Sequence, residues 1–163
     1  MSHLGLKALR WTCAPLAELC PRQLYQSLAL RAQVFVVEQA CVYLDPDGVD
    51  LLAWHLLGHD DATGELLASA RLLPPLAKGP DHLLPEIGRV VSAPAARGSG
   101  AGRALMQRAV LECARLWPQQ ALAISAQSYL LSFYCGLGFE SVSEPYDEDG
   151  IVHVDMIRQP DPL

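Results

Sequence analysis

Three glycines fall within five residues, at Gly98, Gly100 and Gly102, and what stands on either side of them constrains the fold more than any other feature. Ahead of them residues 87–92, Ile-Gly-Arg-Val-Val-Ser, form a β-type segment broken by Pro94. Behind them Leu105, Met106, Ala109, Val110, Cys113, Leu116 and Trp117 recur at helical spacing until Pro118 stops the pattern. The order is strand, glycine loop, helix. Glycines let successive N–H groups turn into one concavity, and a helix N-terminus adds unpaired donors and the positive end of a dipole. Such a loop is built to hold a phosphate or pyrophosphate.

Two common phosphate loops are excluded. The Walker pattern needs a Gly-Lys pair, which the chain lacks. The dinucleotide fingerprint would require a third glycine at Leu105 when counted from Gly100, or at Arg103 when counted from Gly98. What fits is R-x-x-G-x-G, carried by Arg97, Gly100 and Gly102. Alone, it could equally be a tight helix entry.

A second motif lies some thirty residues on: Gln127, Leu130, Phe133-Tyr134 and Gly138-Phe139. The two motifs together resemble the GNAT superfamily of N-acetyltransferases, which pairs the R-x-x-G-x-G loop with a later N-x-x-A-x-x-F-Y-x-x-x-G-F segment. Gln127 stands where the family usually has Asn and Leu130 where it usually has Ala. Residues 34–43, 45–50, 87–91 and 145–153 further resemble the ElaA-type subfamily, so the likeness runs over nearly the whole chain.

A chain of 163 residues, 51% hydrophobic, has room for one domain with a proper core, taken here as residues 1–163. No apolar run approaches a bilayer span, and the N-terminus lacks the layout of a secretion signal, so a cytoplasmic protein is expected. Five cysteines without a C-x-x-C argue against a disulfide framework or zinc knuckle. His55 and His59 lie about 13 Å apart on a strand, too far to share an ion. The loop at Asp45-Pro46-Asp47-Gly48 has Leu56 where a calcium loop needs Glu. No metal is expected. A net charge of −6 disfavours nucleic acid as a partner.

Along the chain we expect a strand over 6–13, a helix from Pro21 to near Gln39, and strands over 51–58 and 66–73 around a turn at 60–64. Another strand starts at Ile87, and a fifth runs over 121–126 before a short helix carrying Tyr134. Residues 139–143 and 151–157 form a closing hairpin across Asp149-Gly150. The expected class is α+β: a GNAT-type mixed, twisted sheet of about six to seven strands with helices on both faces.

The resemblance implies acetyl-CoA as acyl donor and an amine acceptor, by direct transfer in a ternary complex. It assigns the donor to Val91 and Ser92, whose backbone would pair with the pantetheine arm, and to Arg97, Gly98, Ser99, Gly100, Ala101, Gly102, Arg103 and Gln127. Tyr134 matches the family's general acid, which hands a proton to the leaving thiolate; the plainer alternative is a core tyrosine. Glu86 stands where some members keep a base acting through water, and His55 and His153 are rival bases because imidazole titrates near neutral pH. Phe35, Tyr43, His55, Arg71, Arg89 and His153 would surround the acceptor. Two arginines there would suit an amine that also carries an anionic group.

Arg31, Phe35, Asp47, Asp50 and Arg71 resemble, more distantly, the acyl-homoserine-lactone synthases, although the tryptophan those enzymes keep after the Phe is absent. The same charges could instead be an ion-pair network staking the first helix and its loop to the sheet. Two alternatives to acetyl transfer stay open: a non-catalytic acyl-CoA-binding regulatory module, and transfer of longer acyl chains. The expected partners are a small-molecule or peptide amine and, for assembly, a second copy of the chain, without nucleic acid or membrane.

Overall fold

The computed structural model describes residues 8–163. All eight residues of strand β3 (Leu66–Leu73) are buried, and this strand organises the rest. A strand hidden on both faces must have cover on both, and here each face has its own helix. On one side Leu30 and Val34 pack against Leu57, Leu67 and Val91. On the other, Leu105, Met106, Ala109 and Cys113 pack against Leu56, Ala68, Ala70 and Leu72. The neighbours Leu56 and Leu57 thus serve opposite faces of β2 (Trp54–Asp60), as strand alternation requires.

The first of these helices, α1 (Pro21–Arg31), starts with Pro21 at its first position and continues through a π-helical stretch, Ala32–Glu38. The second, α2 (Ala101–Leu116), follows the glycine loop; α3 (Leu131–Cys135) is a single short turn carrying Tyr134. No helix among the described residues is long and apolar enough to cross a membrane.

The remaining strands are β1 (Leu9–Pro15), β4 (Glu86–Ser92), β5 (Leu122–Gln127), β6 (Phe139–Ser141), β7 (Tyr146–Glu148) and β8 (Ile151–Arg158). They form one eight-stranded sheet in the order β1-β2-β3-β4-β5-β8-β6, with β7 also paired to β8. Only β4 and β5 run parallel, and they share a single register pair, Glu86 with Ala123. Beyond it the two strands separate. The cause lies in β4, where a bulge opposite Ala70 puts Arg89 at φ +48° and bends the strand away.

Three expectations need correction. Leu51 and Leu52, expected to open the second strand, lie in a 3-10 turn (Val49–Leu52), and β2 begins at Trp54. The first strand runs to Pro15 because its ladder with β2 continues to Trp54; Leu6 and Lys7, expected in it, lie outside the described residues. The turn at Asp149-Gly150 joins β7, rather than the strand beginning at Phe139, to β8. Phe139–Ser141 does pair with β8, further along. The extra three-residue strand, Tyr-Asp-Glu after Pro145, reads as an acidic loop in sequence and brings the sheet to eight strands.

Candidate active site

The separation of β4 from β5 opens a cleft of about 930 Å³. Its floor is the unpaired edge of β4 from Ile87 to Ser92, faced by Ile124, Ser125 and Gln127 of β5. One end is the glycine loop, and the other is walled by Phe35 of the π-helical stretch, by the loop with Cys41 and Tyr43, and by His153 of β8. A π-helical stretch inside a helix marks a functional wall more often than a random position does.

At the glycine-loop end Gly98 and Gly100 sit at φ +76° and +87°, a region that favours glycine. Gly100 is the N-cap of α2, and the first helical bond runs from Ala104 N–H to its carbonyl. The N–H groups of Ala101, Gly102 and Arg103 therefore have no helical acceptor. No acidic side chain caps this first turn. Gly102 lies so close to β4 that a Cβ there would meet Ser92 Oγ at 3.4 Å. The glycine loop thus adjoins the end of β4. Arg97 reaches across to Glu38, 2.5 Å away, at the end of the π-helical stretch.

Tyr134 is 6% exposed and packs edge-on against Phe133 and Phe139. Its hydroxyl makes no hydrogen bond among the described residues, while the side chain still lines the cleft. Burial, with a lesser contribution from Tyr129, pushes its pKa up to about 12. The phenol therefore holds its proton throughout the neutral range.

Beneath the end walled by Phe35 and Tyr43 lies a cluster of three arginines and three aspartates. Arg31, 2% exposed, bonds Asp45 through Nε at 2.8 Å and Asp50 through Nη1 at 2.8 Å and Nη2 at 3.1 Å. Arg71 donates from Nη1 to Asp47 and Asp50 and from Nη2 to Asp47. Arg89 places Nε 2.8 Å from Asp45 and Nη2 3.3 Å from Asp47, with its guanidinium over the Tyr43 ring. Burial raises the Asp50 carboxyl, but Arg31 and Arg71 outweigh it and hold the group below the ordinary carboxylate value. Asp47 is held down in the same way by Arg71 and Arg89. Arg31, Asp50 and Arg71 thus stake the first helix and its loop to the sheet, as the ion-pair reading has it.

Most of the residues singled out in sequence meet in this one cleft: Glu86, Val91, Ser92, Arg97, Gly98, Gly100, Ala101, Gly102, Arg103, Gln127, Tyr134, Phe35, Tyr43, Arg71, Arg89 and His153 all line it. Two do not. Ser99 turns its hydroxyl back onto the Ala96 carbonyl. His55 is 3% exposed and bonds the Asp50 carbonyl, and burial depresses its basicity, so it braces the loop and is no base. Glu86 lines the cleft with both oxygens taken, one 2.7 Å from Lys78 and the other 3.0 Å from His82. Arg71 has both terminal nitrogens bonded to aspartates, while its buried Nε has no hydrogen-bond partner among the described residues.

Glu38, Gln39, Cys41, Lys78, Tyr129 and Glu148 line the cleft without having been picked out individually. Glu38, Gln39, Cys41 and Glu148 lie in the segments that carry the subfamily likeness, and that was the available signal. Lys78 and Tyr129 had none.

A family model described as an acetyltransferase (GNAT) domain matches residues 81–159. The protein ElaA of Escherichia coli is 42% identical over 154 residues, covering 93% of this chain and 97% of ElaA. The chain belongs to the GNAT superfamily of N-acetyltransferases, close to ElaA. A crystal structure of an acyl-CoA N-acyltransferase from Pseudomonas aeruginosa superposes with a TM-score of 0.85 at 45% identity, covering 93% of this chain and 99% of that one. The AHL synthase LasI shares the fold alone, with a TM-score of 0.74 at 17% identity. The mixed α+β sheet with helices on both faces is thus the GNAT fold of an acyltransferase family.

Proposed function

We propose that the chain is an N-acetyltransferase that moves an acetyl group from acetyl-CoA to an amine, both held at once in the cleft. The observation that carries this is the continuity between the unpaired β4 edge and the donor-rich start of α2. That surface suits a pyrophosphate followed by an extended, amide-bearing arm. The two positive-φ glycines and the unpartnered N–H groups at the start of α2 support that reading. Gly98, Gly100, Ala101, Gly102 and Arg103 would hold the pyrophosphate, and Arg97 would join them by leaving Glu38. Val91 and Ser92 would align the arm as an added strand. When bound, acetyl-CoA supplies an activated acyl group and a thiolate leaving group.

The chain's own residues then do three things. A backbone N–H of the Val91 segment donates to the oxygen on which negative charge develops, a device worth on the order of 10²–10³ in rate. Tyr134 delivers its proton to the departing sulfur. Its raised pKa makes it a weak acid, but the same apolar wall also disfavours a bare thiolate, so sulfur basicity rises alongside. The bulged β4 and the π-helical wall set where the amine can stand. A module that only bound acyl-CoA would have no use for a phenol with an unbonded hydroxyl at this spot.

The test is release of CoA thiol from acetyl-CoA across a panel of amines, with the product identified by mass. Amine-dependent release that is lost in Tyr134→Phe supports the reading. Tight acetyl-CoA binding with no release for any amine would leave a binding module.

A further inference from the structure

We infer that His153 is the base that takes the proton from the acceptor amine. This rests on the reading of the cleft as an amine acyltransferase site. His153 lies on β8 directly across from Gln127, the last residue of β5, where the gap between β4 and β5 is open. Its Nδ1 is 2.8 Å from the Ile151 carbonyl, which can only accept, so Nδ1 carries the hydrogen. In the neutral ring Nε2 must then carry the lone pair. The side chain is 12% exposed, and Nε2 has one neighbour of note, Glu148 Oε2 at 3.6 Å. That is too long for a hydrogen bond, so Nε2 keeps its lone pair.

The other groups around the ring are accounted for. Tyr146 of β7 stacks on it at 6.1 Å, with its hydroxyl bonded to Asp155 and Ser125. Cys41, on the loop after the π-helical stretch, is turned toward the carbonyl of Asp149, next to Glu148. Gln127 is bonded to Gln39, and Tyr43 to Asp45. The two rival bases fail on geometry. Glu86 has both oxygens engaged, one by Lys78 and the other by His82, and His55 is buried outside the cleft. Among the described histidines, His153 is the one that lines the cleft.

Proton balance follows. His153 Nε2 takes one proton from the bound ammonium, and the freed lone pair forms the C–N bond as the C–S bond of the thioester breaks. The second proton on nitrogen reaches the sulfur through Tyr134, whose phenol gives one proton and regains another. The imidazolium passes its own proton to water.

The test compares wild type with His153→Gln, using putrescine, tyramine and a lysine-containing peptide as strongly basic amines and 4-methoxyaniline as a weakly basic one. At pH 7 an amine titrating near 10 is neutral in about one molecule in 10³. With the base gone only that fraction reacts, so kcat/KM should fall by roughly 10²–10³. The deficit should shrink about tenfold per pH unit up to pH 9, and 4-methoxyaniline should be affected only a few-fold. A His153→Gln enzyme that keeps its rate, or whose deficit is the same at pH 7 and 9 and for both kinds of amine, overturns the inference while leaving the acyltransferase reading intact. Wild type that acetylates no amine overturns both.

Discussion

Replacing Asp50 by Asn removes one carboxylate from a buried cluster in which three arginines face three aspartates. Asp50 takes three hydrogen bonds, two from Arg31 and one from Arg71, and its side chain is 8% exposed. Asn has nearly the same shape, but it turns an NH₂ toward at least one of those guanidinium groups and leaves three positive charges against two negative. Breaking a buried pair in this way costs about 3–5 kcal/mol. For a chain of this size each kcal/mol moves the melting temperature by about 2–4 °C, so calorimetry at pH 7 should show a drop of roughly 6–20 °C. The deficit should depend on pH with a definite sign. The folded state holds this carboxylate below its unfolded value, so its contribution is present above about pH 4 and is lost as pH falls through the folded value. The two proteins should therefore converge in acid. Adding Arg31→Met restores equal numbers of each charge and should recover more than half of the loss. A drop below about 1 kcal/mol, or one that does not change between pH 7 and pH 3, would refute the buried-network account and return Asp50 to the substrate.

Arg71→Lys should lower stability, because a single ammonium cannot bridge Asp47 and Asp50 as the fork does, and it should lower activity toward all amines alike; a raised KM for anionic amines alone would show that the arginine faces substrate. Tyr134→Phe should leave the acetyl-CoA-induced rise in melting temperature intact while cutting kcat by roughly 10²–10⁴. With its pKa near 12, the wild-type phenol should show no loss of kcat from its ionisation up to pH 10, and a basic limb at the ordinary tyrosine value would place the ring in a wetter setting than the one described.

The donor end of the site was legible because it is local. Strand, glycine loop and helix are contiguous, and every backbone donor of the loop follows from six consecutive residues. The acceptor end was legible only as a set of residue types. Arg31, Asp47, Asp50 and Arg71 could be singled out, but whether they touch each other or a ligand depends on contacts across the folded chain. Asp45, which joins Arg31 to Arg89, read as part of a turn. Glu86 looked available in sequence because nothing about Lys78 and His82 says that a loop folds them onto its two oxygens. His55 and His153 looked equivalent, each in an apolar strand. Both have strands on either side, and what separates them is where the side chain ends: His55 is sealed beneath the Asp50 loop, whereas His153 lines the cleft. Strand β7 was missed because three polar residues show no alternation until a partner strand supplies it.

The central claim is that the β4–β5 gap and the glycine loop together form an acyl-CoA cradle, and isothermal calorimetry of acetyl-CoA against wild type and Gly100→Val tests it most directly. Wild type should bind one acetyl-CoA per chain. At a hundredfold excess over Kd, the ligand should stabilise the fold by about 2.7 kcal/mol. Gly100→Val forces a β-branched side chain into a left-handed conformation at the helix cap, and a folded variant should show no binding heat. Undiminished binding in that variant, or none in well-folded wild type, would contradict the cradle.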